Sequence, residues 1–97
     1  MNDIDVLSEL WEVIVSRIDH PSDASYVSGL VHGQKGVDRS LEKVGEEATE
    51  FIISVKNGNH PQIVSEAADL QFHLLIALKA SGADFEEVLA ELKRRRK

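Results

Sequence analysis

The sequence contains no cysteine, which excludes disulfides, thiolate metal sites and a thiol nucleophile. It has no apolar run approaching the ~18 residues of a membrane-spanning helix, and no P-loop or GxGxxG. Internal repeats and low-complexity segments are missing, and the alternating pattern of strands is scarce. The opening Met-Asn-Asp-Ile-Asp lacks the basic charge with which a secretory signal peptide begins. The expectation is a soluble, cytoplasmic protein with no membrane partner, and the length favours one domain over residues 1–97.

Positive charge is also short. Seventeen acidic residues face eleven basic ones, for a net of −6. Lys93, Arg94, Arg95, Arg96 and Lys97 close the chain, so the body holds six basic against seventeen acidic residues, a net of −11. Such a body repels a phosphate backbone, and no nucleic-acid partner is expected. The acidic excess is what needs a reason.

Helical spacing recurs throughout. From about Ile4 to Ile18, Val6, Leu7, Leu10, Trp11, Ile14 and Ile18 share one face, with Trp11 a core residue, and His20-Pro21 ends the segment. Ser22 or Asp23 is the expected cap of a short helix over about Ala24–His32. A third helix runs from about Val37 to Lys56, its apolar face centred near Val44, Ala48 and Val55. Asn57-Gly58-Asn59-His60-Pro61 stops it, with Gly58 suited to a left-handed cap and Pro61 to the first turn of the next helix. The fourth covers about Pro61–Ala80 and the fifth about Asp84–Arg95. The fourth is apolar nearly all round from Leu70 to Leu78, so it must be covered on most sides. Few short helices are available to do that, which predicts a second copy. The expected fold is all-α: four to five helices in a bundle completed by homodimerisation.

Two acidic clusters carry the chemistry. Glu46-Glu47-x-x-Glu50 and Glu66-x-x-Asp69 each place a carboxylate pair three residues apart on one helix face. On a helical wheel Glu46 points away from the apolar face, Glu47 lies at its border and Glu50 slightly further out. Glu66, Asp69 and His73 form one stripe that continues into apolar residues. About the Gly58–Asn59 turn, Glu50 and Glu66 are each about eight residues away, and Glu47 and Asp69 about eleven. At ~1.5 Å per residue, an antiparallel hairpin brings the two pairs to the same level. Four converging carboxylates repel one another unless a cation sits among them. Oxygen ligands suit a hard ion such as Mg²⁺, with Mn²⁺ as a substitute. Mg²⁺ also shares its shell with substrate phosphates. Arg17, Arg39 and Lys43 are the candidate phosphate contacts. His73 reads as an interior histidine, and His20, His32 and His60 show no ligand spacing.

Lys43-Val44-Gly45-Glu46-Glu47-x-x-Glu50, then Glu66-Ala67-Ala68-Asp69-Leu70 and His73-Leu74-Leu75, resembles the phosphoribosyl-ATP pyrophosphatase family. That family belongs to the all-α, MazG-like nucleotide pyrophosphatases, which share an EExxE…ExxD pattern. Leu10–Arg17, Ser25-Tyr26 and Val88–Leu92 extend the resemblance over nearly the whole chain. Val27 stands where the family is expected to have threonine, and the stretch from Gly29 to Gly36 is longer.

The resemblance implies hydrolysis of 1-(5-phosphoribosyl)-ATP to the AMP form and pyrophosphate, the second step of histidine biosynthesis, in a dimer. It makes Glu47, Glu50, Glu66 and Asp69 Mg²⁺ ligands. Glu46, with Glu47, becomes a candidate catalytic residue that orients the attacking water or holds a second ion. Lys43 becomes a phosphate contact, with Arg39, Arg17 and Tyr26 as further substrate-binding candidates. Two alternatives stand beside this reading: a MazG-like house-cleaning enzyme acting on other nucleoside triphosphates, and a non-enzymatic helical dimerisation module with solvated acids.

Overall fold

The computed structural model describes residues 5–96, and every element among them is a helix. Ile4, the expected first helical residue, and Lys97 of the basic tail lie outside the described residues. The helices are α1 (Asp5–Asp19), α2 (Tyr26–His32), α3 (Val37–Asn57), α4 (His60–Ala80) and α5 (Phe85–Arg95). None is long and apolar enough to cross a membrane.

Local chemistry explains the boundaries. Gly58 ends α3 in the left-handed conformation (φ 70°), its N–H donating to the Val55 carbonyl. Asn59 caps α4, its side-chain oxygen accepting from the Gln62 N–H, and Pro61 sits in the first turn. Asp84 and Glu87 close a reciprocal capping box at the start of α5. The cap of α2 differs from the expectation. Ser25, not Ser22 or Asp23, accepts from the Ser28 N–H. The Ser22 N–H instead donates to Ser28 Oγ, and the Ser22 hydroxyl accepts from the Ala24 N–H. That turn occupies the earlier residues and delays the helix to Tyr26.

The apolar core comes from α1, α2, α4 and the start of α5. Ile14, Val27, Leu30, Val31, Leu75, Ile76 and Phe85 are buried together, with Leu10, Trp11 and Ile18 packed against them. The Trp11 and Phe85 rings lie 5.8 Å apart. No residue of α3 belongs to this buried set.

The helices α3 and α4 form an antiparallel hairpin with the most extensive helix–helix contact in the chain. The buried line of α3 is polar: Ser40, Glu47 and Ser54, two turns apart in succession. Ser54 Oγ donates to the Glu50 carbonyl, whereas Ser40 Oγ has no partner. The apolar face centred on Val44, Ala48 and Val55 is therefore not the inward face of the single chain. Val44 and Ala48 are half-buried, while Leu41, Ile52 and Val55 are 53%, 58% and 48% exposed. Amphipathic spacing identifies an apolar face but not what covers it; here α4 meets the polar line and the apolar face stays open. On α4, His73, Leu75, Ile76 and Ala77 are buried, but Val64 and Leu74 are exposed.

Candidate metal centre

The hairpin brings Glu47 of α3 against Glu66 and Asp69 of α4, with one carboxylate oxygen of each within 4.8 Å of the others. Around an ion of Mg²⁺ size, with bonds of about 2.1 Å, opposite oxygens lie about 4.2 Å apart. The three acids thus stand close to a ligating arrangement. Glu47 is 6% exposed, and its Oε2, like Glu66 Oε2, is buried without a hydrogen-bond partner. A buried carboxylate oxygen with no donor is costly. Hard oxygen donors in this state fit a divalent cation.

The crowding acts on the protonation of Glu66. Burial first, then hydrogen bonding to Glu50 and the negative charge of Glu50, and after these Glu47, push its carboxyl up to about 7. Glu50 therefore borders the same group, although its own residue is exposed.

A row of ion pairs runs along α3 beside the acids. Lys43 Nζ lies 3.1 Å from Glu46 Oε2 and 3.3 Å from Glu47 Oε1. Arg39 reaches Glu46 at 3.3 Å and Glu42 at 3.9 Å, and Lys35 pairs with Glu42 at 2.8 Å. The hydrogen bond from Lys43, with Arg39 behind it, holds the exposed Glu46 carboxyl below the usual range. Its bond to Glu46, partly offset by burial, holds the Lys43 ammonium above the usual lysine range. A shallow open depression lined by Glu42, Gly45, Glu46, Thr49 and Glu50 lies along this face.

Tyr26 begins α2 and reaches α4. Its hydroxyl is 2.9 Å from His73 Nε2, and His73 Nδ1 is 2.9 Å from the Asp69 carbonyl oxygen. A carbonyl only accepts, so Nδ1 carries a proton; with the ring neutral, Nε2 accepts from the Tyr26 hydroxyl. The Tyr26 ring also stacks on Phe72 at 6.2 Å. His73 thus joins the helix of Glu66 and Asp69 to α2, a link that sequence reasoning missed. Its place on the Glu66–Asp69–His73 stripe was a signal, but nothing pointed to a partner forty-seven residues away. Arg17 stands apart from the carboxylates in the last turn of α1, lining a small depression with Ser22, Ala24 and Ser25.

Comparison with known proteins gives this arrangement its context. The family model described as phosphoribosyl-ATP pyrophosphohydrolase matches residues 7–96. The chain belongs to that family. It is 58% identical over 97 residues to a phosphoribosyl-ATP pyrophosphatase of Methanoculleus marisnigri, covering all of both chains. It is 55% identical over 97 residues to the protein of the same name from Methanosphaerula palustris, covering 100% of this chain and 98% of that one. A third phosphoribosyl-ATP pyrophosphatase, from Methylibium petroleiphilum, is 52% identical over 95 residues, covering 98% and 78%. Membership spans all five helices, including both acidic clusters.

Proposed function

We propose that this chain hydrolyses 1-(5-phosphoribosyl)-ATP to 1-(5-phosphoribosyl)-AMP and pyrophosphate, the second step of histidine biosynthesis. It does so as a Mg²⁺-dependent cytoplasmic enzyme whose 97 residues act as one domain. Full-length similarity to proteins of that name supports the substrate. The observation that carries the reading is the meeting of Glu47, Glu66 and Asp69 across the hairpin, with two buried oxygens left without a donor.

Glu47, Glu66 and Asp69 would hold the ion, with Glu50 at the edge of the group. When bound, Mg²⁺ supplies charge neutralisation and polarisation of the polyphosphate. Phosphoryl transfer is mostly positioning and charge stabilisation, so the remaining work falls to side chains along the rim. Lys43 and Arg39 offer positive charge to the phosphate oxygens. Glu46, held ionised by these two neighbours, accepts a hydrogen bond from water and orients it toward phosphorus. As the water oxygen bonds to phosphorus, the anhydride bond breaks, pyrophosphate leaves and the proton passes to Glu46 or solvent. Tyr26, anchored by His73, and Arg17 bound the substrate on the α2 side.

The assay follows pyrophosphate release from phosphoribosyl-ATP and from a panel of ordinary nucleoside triphosphates, with Mg²⁺. Phosphoribosyl-ATP is expected to be the preferred substrate. Loss of Glu47 in Glu47→Gln should slow the reaction by about 10²–10³-fold, the scale of removing a principal electrostatic contact. Rapid turnover of ordinary triphosphates, with phosphoribosyl-ATP untouched, would instead identify a house-cleaning enzyme.

We also propose that the active form is a homodimer. Support comes from the open apolar face of α3, where Leu41, Ile52 and Val55 are exposed, together with Leu74 on α4. Sedimentation should give a dimer for the native chain and a monomer for a Leu41→Glu/Ile52→Glu variant. A monomeric native chain would refute it.

A further inference from the structure

Lys43 occupies a position that its expected role as a phosphate contact does not explain. Among the described residues it is the one basic side chain within ion-pair distance of any of Glu47, Glu50, Glu66 and Asp69. It is mostly buried, with its side chain 18% exposed beside an 8% exposed Glu47 side chain. Its ammonium sits between Glu47 Oε1 on the inner side and Glu46 Oε2 on the rim. The first of these is on a carboxylate of the acidic group; the second is on a half-exposed one outside it.

This geometry sets up a competition. An ammonium 3.3 Å from Glu47 partly neutralises the acids, and a divalent cation drawn to the same carboxylate is repelled by it. The two positive groups cannot both use Glu47 at full strength. Glu46 offers Lys43 a second partner at 3.1 Å, so the ammonium can leave Glu47 without leaving the rim. There it meets whatever anion approaches.

We propose that Lys43 is the resident counter-ion of the acidic group, which opposes cation binding in the substrate-free protein and moves to the phosphates when a polyphosphate arrives. The cation and the polyphosphate then bind cooperatively through one side chain. This rests on Glu47, Glu66 and Asp69 holding the cation.

The test measures binding of Mn²⁺ alone to the full chain by calorimetry, without substrate. Lys43→Met and Lys43→Gln should bind Mn²⁺ more tightly than the native chain, by about fivefold or more, the lower end of ordinary site-to-site coupling. Lys43→Arg keeps the charge and should stay near native affinity. Thermal unfolding gives a second readout: the uncharged variants should melt lower without Mn²⁺ and gain more from it. A lysine that only contacts phosphate predicts no change in Mn²⁺ affinity, and one that only props up the fold predicts weaker binding. Either result, with Asp69→Asn still abolishing Mn²⁺ binding, overturns the counter-ion proposal while leaving the metal centre intact. Native-like Mn²⁺ binding by Asp69→Asn overturns the metal centre and the proposal with it.

Discussion

Two buried regions of this small protein are built from opposite materials. Between α1, α2, α4 and α5, burial is apolar: Ile14, Leu30, Leu75 and Ile76 fill the interior. Between α3 and α4, the buried α3 residues are Ser40, Glu47 and Ser54, while Leu41, Ile52, Ile53 and Val55 of the same helix are exposed. The first region removes hydrocarbon from water and stabilises the fold. The second buries a carboxylate and an unpartnered hydroxyl, which costs stability. A helix that spends its inward face on polar groups must place its apolar face elsewhere. That trade sets the candidate metal centre of α3 next to the proposed dimer contact on the same helix.

The sharpest way to break this contrast is one substitution in each region. Glu47→Gln should remove nearly all pyrophosphate release while leaving cation-free stability unchanged or raised, because it takes one charge out of a crowded acidic group. Ile76→Ala should do the reverse. Ile76 is fully buried, and its truncation should cost about 2–5 kcal/mol in urea unfolding, with activity per folded molecule retained. If Glu47→Gln proves as destabilising as Ile76→Ala, the two regions do not divide stability from chemistry.

A second test uses pH. Glu66 in the cation-free protein holds its proton up to about 7, well above the ordinary carboxyl range. The sign follows from linkage: the native state binds a proton that the unfolded chain has already released. The stabilising contribution is complete below the ordinary carboxyl range and is lost as pH rises through about 7. Melting temperature in EDTA should therefore fall as pH rises from about 5 to 8, more steeply than that of a Glu66→Gln variant. Saturating Mg²⁺ should flatten the slope, because the ion stabilises the ionised form. Equal slopes with and without Mg²⁺ would detach Glu66 from the cation.

How much of this was readable from sequence depends on the range of each interaction. Helix ends are local, and Gly58, Pro61 and the Asp84–Glu87 pair mark theirs plainly. The approach of Glu47 and Glu66 to Asp69 is also legible, because equal counts on either side of a tight turn fix the level of each residue. What turns α3 about its axis is not local. Its apolar spacing centres a face near Val44, Ala48 and Val55 without saying what covers it, and α4 meets the polar line instead. The Tyr26–His73 bond crosses forty-seven residues and has no pattern in sequence. Lys43 lay within reach of both Glu46 and Glu47, and only coordinates show that it engages both.

The smallest expected effect concerns the turn that joins α3 to α4. Asn59 accepts a hydrogen bond from the Gln62 N–H at 3.2 Å, and its loss in Asn59→Ala should cost about 1 kcal/mol of global stability. The same turn counts the residues that align Glu47 with Asp69, which raises the question whether it sets the geometry of the candidate metal centre. The structure argues otherwise. Each helix of the hairpin runs twenty-one residues, and they pack along their length. Register held by that much contact survives a frayed cap, since fraying reaches only the first turn of α4, before Glu66. Asn59→Ala should therefore lower the urea midpoint and leave Mn²⁺ affinity unchanged. A fall in Mn²⁺ affinity of about tenfold, or 1.4 kcal/mol, would mean that the turn rather than the packed seam aligns the acids.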